Sequence, residues 1–168
     1  ADAVAEATRE LSGVRLRPFL ASGISWMDYS RVLSAVPFYQ LFASHEFVLI
    51  TQTDVIVERR VPSYYFQYAY VGAPWTDGRV GNGGFSLRHV SSMRDALQQL
   101  GPNHAAVPED VWVRRGLPDA SVCPAEFAAT FASEQALCAS VGYHMVYNQG
   151  HNPLAVRAHI SRALKGQG

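Results

Sequence analysis

The four residues Phe47-Val48-Leu49-Ile50 form an unbroken apolar run, rich in β-branched side chains and bounded by polar residues. Such a run reads as a strand buried on both faces, of the kind found at the centre of a parallel sheet. Helical patterns surround it. Ala3, Val4, Ala7 and Leu11 recur at helical spacing and stop at Gly13, and Val14 to Leu20 alternates as a short strand. Asp28 then precedes a second helical pattern from Tyr29 to Phe42, in which Pro37 predicts a kink or break. Helix, strand, helix and buried strand is the rhythm of a layered α/β fold.

The middle of the chain differs in character. From Tyr64 to Gly84 aromatic residues and glycines dominate, which predicts short strands joined by tight turns. Further helices are expected over Ser91 to Leu100, from Pro108 onward, from about Ala125 to Leu137, and from Pro153 to Leu164. There is no internal repeat or linker, and 168 residues suit a single domain. An α/β nucleotide-binding domain opens with a strand whose following loop meets the nucleotide. Here the first element reads as a helix, so the chain is expected to lack that strand or to be a variant.

Charge narrows the partners. Lys plus Arg and Asp plus Glu balance at 14 each, with the basic residues scattered. That gives no electrostatic footprint for nucleic acid and no polybasic face for anionic lipid. No apolar run approaches the ~20 residues of a membrane helix, and the acids Asp2, Glu6 and Glu10 exclude a secretory signal core at the start. Cys123 and Cys138 fit reduced thiols better than a disulfide framework, and a cytoplasmic location is expected.

Four places carry candidate chemistry. Gln52-Thr53-Asp54 follows the buried strand, where open α/β sheets bind ligands. Asp54 there reads either as a turn cap or as a carboxylate holding a divalent cation on phosphate oxygens. In Gly81-Asn82-Gly83-Gly84-Phe85 the glycines admit close backbone approach to a ligand, and Asn82-Gly83 is equally a hairpin turn signal. Their spacing matches neither a Walker loop nor a dinucleotide fingerprint. Glu109 and Asp110 after Pro108 suit any helix amino terminus, or one of them is a general base. His144 reads as structural, or as a neutral imidazole ligand beside Asp54.

Taken together, Tyr29-Ser30-Arg31-Val32-Leu33, Val48 to Asp54, Tyr70-Val71-Gly72-Ala73-Pro74-Trp75, Val80 to Arg88 and Pro108-Glu109-Asp110-Val111 resemble the DUF5672 family. The similarity runs from about Tyr29 to His144. That family is grouped with glycosyltransferases of the GT-A fold, a Rossmann-like layered domain with a mixed, mostly parallel central sheet flanked by helices. The resemblance implies transfer of a sugar, inverting and metal-assisted, from a nucleotide-diphosphate donor to a hydroxyl acceptor, often a carbohydrate.

Roles follow for the matched positions. Asp54 stands where GT-A enzymes carry the last acid of Asp-x-Asp, and His144 matches a late histidine of the metal site, for Mn²⁺ or Mg²⁺. Gln52 replaces the first acid of that motif. Asp110, or else Glu109, is the implied base. Gln52, Asn82, Gly83, Gly84 and Phe85 are expected to line the substrate cleft. Trp75 is either a platform for a sugar ring or simply core. The alternative function is a non-catalytic sugar- or nucleotide-binding module, a decayed or truncated transferase.

Overall fold

Ser25 begins the first helix through a capping box in which its hydroxyl and the Asp28 carboxylate satisfy each other's backbone N–H groups. Asp28 therefore lies inside the first turn and not before it. The computed structural model describes residues 24–103, 107–134 and 140–144. The helix and strand expected over residues 1–20 and the last helix lie outside these residues.

Helix α1 spans Trp26–Leu33 and α2 spans Val36–Gln40. The single helix expected through Phe42 is thus divided, because Pro37 sits in the first turn of α2 and restarts the helix after Ser34-Ala35. Strand β1 is Phe47–Thr51 and β2 is Ile56–Val57. A 3-10 turn at Ser63–Gln67 precedes β3, Tyr70–Gly72, and β4 is Phe85–His89. Helix α3, Val90–Leu100, follows β4 directly. Helix α4 is Glu109–Arg115, capped by Pro108, and α5 is Ala125–Phe131. Strands β5, Ala132–Ser133, and β6, Gly142–Tyr143, complete the described elements.

Two three-stranded sheets result. The first has the order β1-β4-β3 and is antiparallel throughout, with Phe47 opposite His89 and Thr51 opposite Phe85. The second has the order β2-β6-β5, antiparallel between β2 and β6 and parallel between β5 and β6. The chain at Ser121–Cys123 also runs parallel to β3, with Ala69 N donating to Ser121 O at 2.7 Å and Cys123 N to Tyr70 O at 3.0 Å. Helices and strands follow each other in runs and not in strict alternation, which is consistent with a mixed α/β class.

The mostly parallel sheet is not what the described strands form. Strand β1 lies at the edge of its sheet among the described residues, and of its residues only Ile50 is buried while Leu49 is 38% exposed. The central, buried strand is β4, with Phe85, Ser86, Leu87 and Arg88 all out of solvent. A short apolar run identifies a strand but does not set its partners or direction. The helix expected to reach Leu137 ends at Phe131, where Ala132–Ser133 turn to pair with β6. Likewise the hairpin turn falls at Asp77-Gly78, beside the Pro74–Val80 bridge, with Gly78 at φ 80°. Asn82-Gly83 lies beyond it, in the approach to β4.

The core is aromatic. Tyr39, Tyr65, Tyr70, Phe85, Phe131 and Tyr143 are fully enclosed, with Phe85 stacked on Phe131 at 4.9 Å. On α3, Met93 and Leu97 face inward, each stabilising by about 1.5–3 kcal/mol relative to exposure. That helix packs on α2 and α4, while α5 packs on β3. Cys123 is a free, buried thiol, and Cys138 lies outside the described residues.

Within this core sits Arg88, fully buried. Its guanidinium donates to Glu109 Oε1 at 2.7 Å, to Tyr39 OH at 2.9 Å and to Ser86 Oγ at 2.9 Å, and lies 5.3 Å from the Tyr70 ring centre. Removing one member of a buried pair leaves the other charge unpaired, at a cost of about 3–5 kcal/mol. Arg88→Met should therefore lose that much in denaturant unfolding, and the double variant R88M/E109L should be more stable than R88M. An R88M midpoint equal to that of the parent would show that the pair holds nothing together.

Candidate functional site

The site is built where several strand ends meet. The end of β1 delivers Gln52, whose N–H donates to Gly84 O at 2.9 Å and so continues the β1–β4 ladder. Two residues on, Asp54 follows with its side chain 33% exposed. Strands β5 and β6, being parallel, release Glu134 and His144 side by side from their carboxyl ends, with His144 N donating to Ser133 O at 3.0 Å. The first turn of α4 brings Glu109 and Asp110. Asn82, Gly83 and Gly84 run between these groups.

Missing side chains make the assembly possible. A Cβ on Gly83 would overlap Glu109 Oε1 and come within 2.8 Å of Arg88 Nη2, and one on Gly84 would overlap the His144 ring. The two glycines are thus required for close packing rather than for unusual backbone angles.

Around this loop the polar contacts close on one another. His144 Nε2 lies 2.9 Å from Gln52 Oε1 and 3.6 Å from Asp54 Oδ1. On the other side of the ring, Nδ1 lies 3.6 Å from Glu134 Oε1 and has no hydrogen-bond partner among the described residues. Glu134 Oε2 accepts from Asn82 Nδ2 at 2.5 Å, and Asn82 Oδ1 accepts from Gly84 N at 3.1 Å. Asp110 takes Gly83 N on one oxygen at 3.1 Å and Val111 N on the other at 2.7 Å.

Burial in the presence of like charge shapes the electrostatics. Burial, with Glu109 adding repulsion, pushes Asp110 up to about 6 although two backbone N–H groups pull it down. Burial, then Asp110 and Asp54, raises Glu134 to about 6 as well. Burial lowers His144, against the pull of Asp54 and Glu109. Glu109 differs from its neighbour because its carboxylate is committed to Arg88 in an ion pair whose side chains are 0% and 7% exposed.

Gln52, Asp54, Asn82, Gly83, Gly84, Glu109, Asp110 and His144 are therefore brought together. Phe85 and Trp75 are not part of the cluster. Phe85 was expected to line the cleft, but its ring is 0% exposed, stacked on Phe131 beneath Gly142, and offers no surface to a ligand. Trp75 packs its ring against Gly81 under the Arg79 guanidinium, 5.5 Å away. It lines a separate cleft of about 530 Å³ with Asp77, Arg79, Val111, Arg114, Arg115 and Asp119, and Val111 is the neighbour of Asp110. Glu134 is the residue that sequence reasoning missed. It was assigned to the interior of a helix, and only the early end of α5 turns it into the cluster.

Among the described residues, no group of three or more His, Cys, Asp and Glu side chains is arranged to hold a metal ion. A smaller donor set is present. Ligand oxygens or nitrogens around a small divalent cation sit ~2.1 Å from it, hence roughly 3 Å from each other. The separations of His144 Nε2 from Gln52 Oε1 and Asp54 Oδ1, 2.9 and 3.6 Å, bracket that spacing. One carboxylate, one imidazole and one amide oxygen suit a cation that keeps water and takes substrate phosphates for its other positions. The buried Nδ1, with no partner among the described residues, also marks His144 as a side chain not settled by packing alone.

No helix among the described residues is long and apolar enough to cross a membrane. Comparison with curated proteins and with solved structures finds no match to this chain. A family model described as "Protein of unknown function (DUF5672)" matches residues 19–156, which include every residue of the cluster. The chain therefore belongs to the DUF5672 family.

Proposed function

We propose that the chain is a glycosyltransferase of GT-A type that moves a sugar from a nucleotide-diphosphate donor to a hydroxyl acceptor with inversion. The observation that carries this reading is the convergence of Gln52, Asp54 and His144 with Asp110 at one set of strand carboxyl ends. The reaction needs a base and a diphosphate-binding group in one place.

Of the two acids opening α4, Asp110 is the better base. Glu109 is held by Arg88 and shielded from solvent, so a proton taken by it would break a buried ion pair. Asp110 faces the glycine loop, and its raised pKa makes it a stronger proton acceptor than an ordinary aspartate while leaving it ionised at neutral pH. In this reading Asp110 takes the proton of the acceptor hydroxyl as that oxygen attacks the anomeric carbon. The bond from that carbon to the diphosphate oxygen breaks, and the diphosphate leaves with the electron pair. Asp54, His144 and the Gln52 amide oxygen would hold Mn²⁺ or Mg²⁺, which supplies positive charge for the diphosphate.

A non-catalytic module that binds a sugar or nucleotide is the second reading. Gln52 in place of an acid, and the lack of a three-acid or histidine group among the described residues, favour it. Calorimetry with a panel of nucleotide sugars, with and without Mn²⁺, separates the two. Turnover or hydrolysis of a bound donor supports the transferase, and binding without either supports the module.

Asp110→Asn should lower the transfer rate by ~10²–10⁴-fold while the protein stays folded by circular dichroism. If D110N and E109Q both keep full activity, neither acid is the base. The rate should also climb with pH through about 6 and level off, as Asp110 loses its proton. The same shift has a defined effect on stability. The folded protein holds this proton up to about 6, whereas an unfolded aspartate releases it near 3.8, so Asp110 favours the fold at low pH and stabilises it less as pH rises through that interval. A rate profile flat from pH 5 to 8 would remove Asp110 from the mechanism.

A further inference from the structure

We propose that the cleft between the Trp75–Arg79 turn and α4 is an acceptor subsite for a sugar bearing one anionic group, a carboxylate or a phosphate, with a hydroxyl of that sugar turned toward Asp110. Its role as an acceptor subsite rests on the transferase reading, and its capacity for an anionic sugar does not. Val111, Arg114 and Arg115 are three and four positions apart and so share one face of α4, opposite the buried Glu109 and Val113. The cleft opens along that face, and its volume of about 530 Å³ is of the size that holds small ligands.

The cleft and the acid share a wall. Asp110 is four positions before Arg114, so their Cβ atoms are roughly 5–6 Å apart along the helix. Arg114 Nε donates to Val80 O at 2.8 Å, and three residues later Gly83 N donates to Asp110 at 3.1 Å. The segment from Val80 to Gly83 is thus tied to α4 at both ends. A sugar seated against Arg114 has Asp110 one turn away.

The charges in the cleft differ in how far they are already satisfied. Arg79 is committed to Asp77, whose carboxylate takes Nε at 2.9 Å and Nη2 at 2.8 Å. Arg79 also lies over the Trp75 ring, 5.5 Å from its centre, which makes Trp75 a support for a cation. Arg114 is committed to Asp119 at 2.8 Å. Arg115 enters no ion pair among the described residues and rests over the Trp112 ring, 5.6 Å from its centre. Three guanidinium groups against two carboxylates leave one positive charge, and it falls to Arg115. A planar guanidinium meets a carboxylate or a phosphate with two parallel hydrogen bonds.

Beyond the glycine loop the sign reverses, for Asp54, Asp110 and Glu134 lie together there. An anionic sugar is drawn toward Arg115 and repelled by that cluster. The field therefore orients it, anion outward and neutral hydroxyl toward Asp110. A neutral sugar gains nothing from this arrangement.

The test uses the indole N–H signals of the full ¹⁵N-labelled chain, assigned by their loss in Trp75→Phe and Trp26→Phe. Methyl glucuronide, glucose 6-phosphate or both should move the Trp75 signal and leave that of Trp26, on α1, in place. Which of them moves it tells carboxylate from phosphate. Methyl glucoside should move neither signal. Arg115→Gln should weaken binding by ~10-fold or more, and Arg60→Gln, outside the cleft, should not change it. A Trp75 signal that answers to neither anionic sugar, or as strongly to methyl glucoside, overturns the proposal without any variant. Inorganic phosphate bound as tightly as glucose 6-phosphate, with methyl glucuronide silent, also overturns it. If the anionic sugars bind here and no nucleotide sugar is turned over in their presence, the sugar site stands and the transferase reading falls.

Discussion

The buried contact between Arg88 and Glu109 governs the geometry of this molecule. Arg88 comes from the central strand of the first sheet and Glu109 from the first turn of α4, two elements with no backbone hydrogen bonds in common. An isolated buried guanidinium carries a desolvation cost of several kcal/mol. Here burial alone would lower the pKa of Arg88, yet Tyr39, Tyr70 and Glu109 hold it well above the ordinary value. The charge is thus stable only if α2, β3, β4 and α4 all arrive together. That is a demand on specificity, and it sets where the next residue, Asp110, must lie.

From that fixed point the cluster follows by packing. Gly83 passes Glu109 and Arg88 at a distance no side chain allows, and its N–H then reaches Asp110. Gly84 passes the His144 ring in the same way, and its N–H holds Asn82, which donates to Glu134. The loop is a spacer between a buried ion pair and a polar cluster open to solvent through Asp54. This division explains why two adjacent acids on α4 differ. Glu109 is held in contact with Arg88, while Asp110 is buried against a like charge and pushed up to about 6.

Much of this was readable from residue order. Asp54 after a strand, acids after Pro108 and glycines before Phe85 each marked a place that the fold uses. The pairing of the strands was not readable, because four apolar residues satisfy a central parallel strand and an antiparallel edge equally well. Strand β4 was harder still. Ser86 and Arg88 break its apolar pattern, although Arg88 is fully buried. A buried arginine is visible in sequence only if its counter-ion is known, and Glu109 lies twenty-one positions away. Phe85 misled for the opposite reason, since an aromatic beside glycines looks like a ligand surface when it is in fact core.

Glu134 shows the limit most clearly. Ala125 to Leu137 is rich in helix-forming residues, and local propensity places Glu134 within a helix. What overrides propensity is the pairing of Ala132–Ser133 with β6, a contact between residues ten apart that also turns Glu134 inward. Local preferences of a few tenths of a kcal/mol per residue cannot compete with a core that closes Phe131 against Phe85 and Tyr65. The same closure that ends the helix supplies the carboxylate behind His144. Stability of the core and polarity of the site are therefore coupled within three residues, between Phe131 packed inside and Glu134 facing the imidazole.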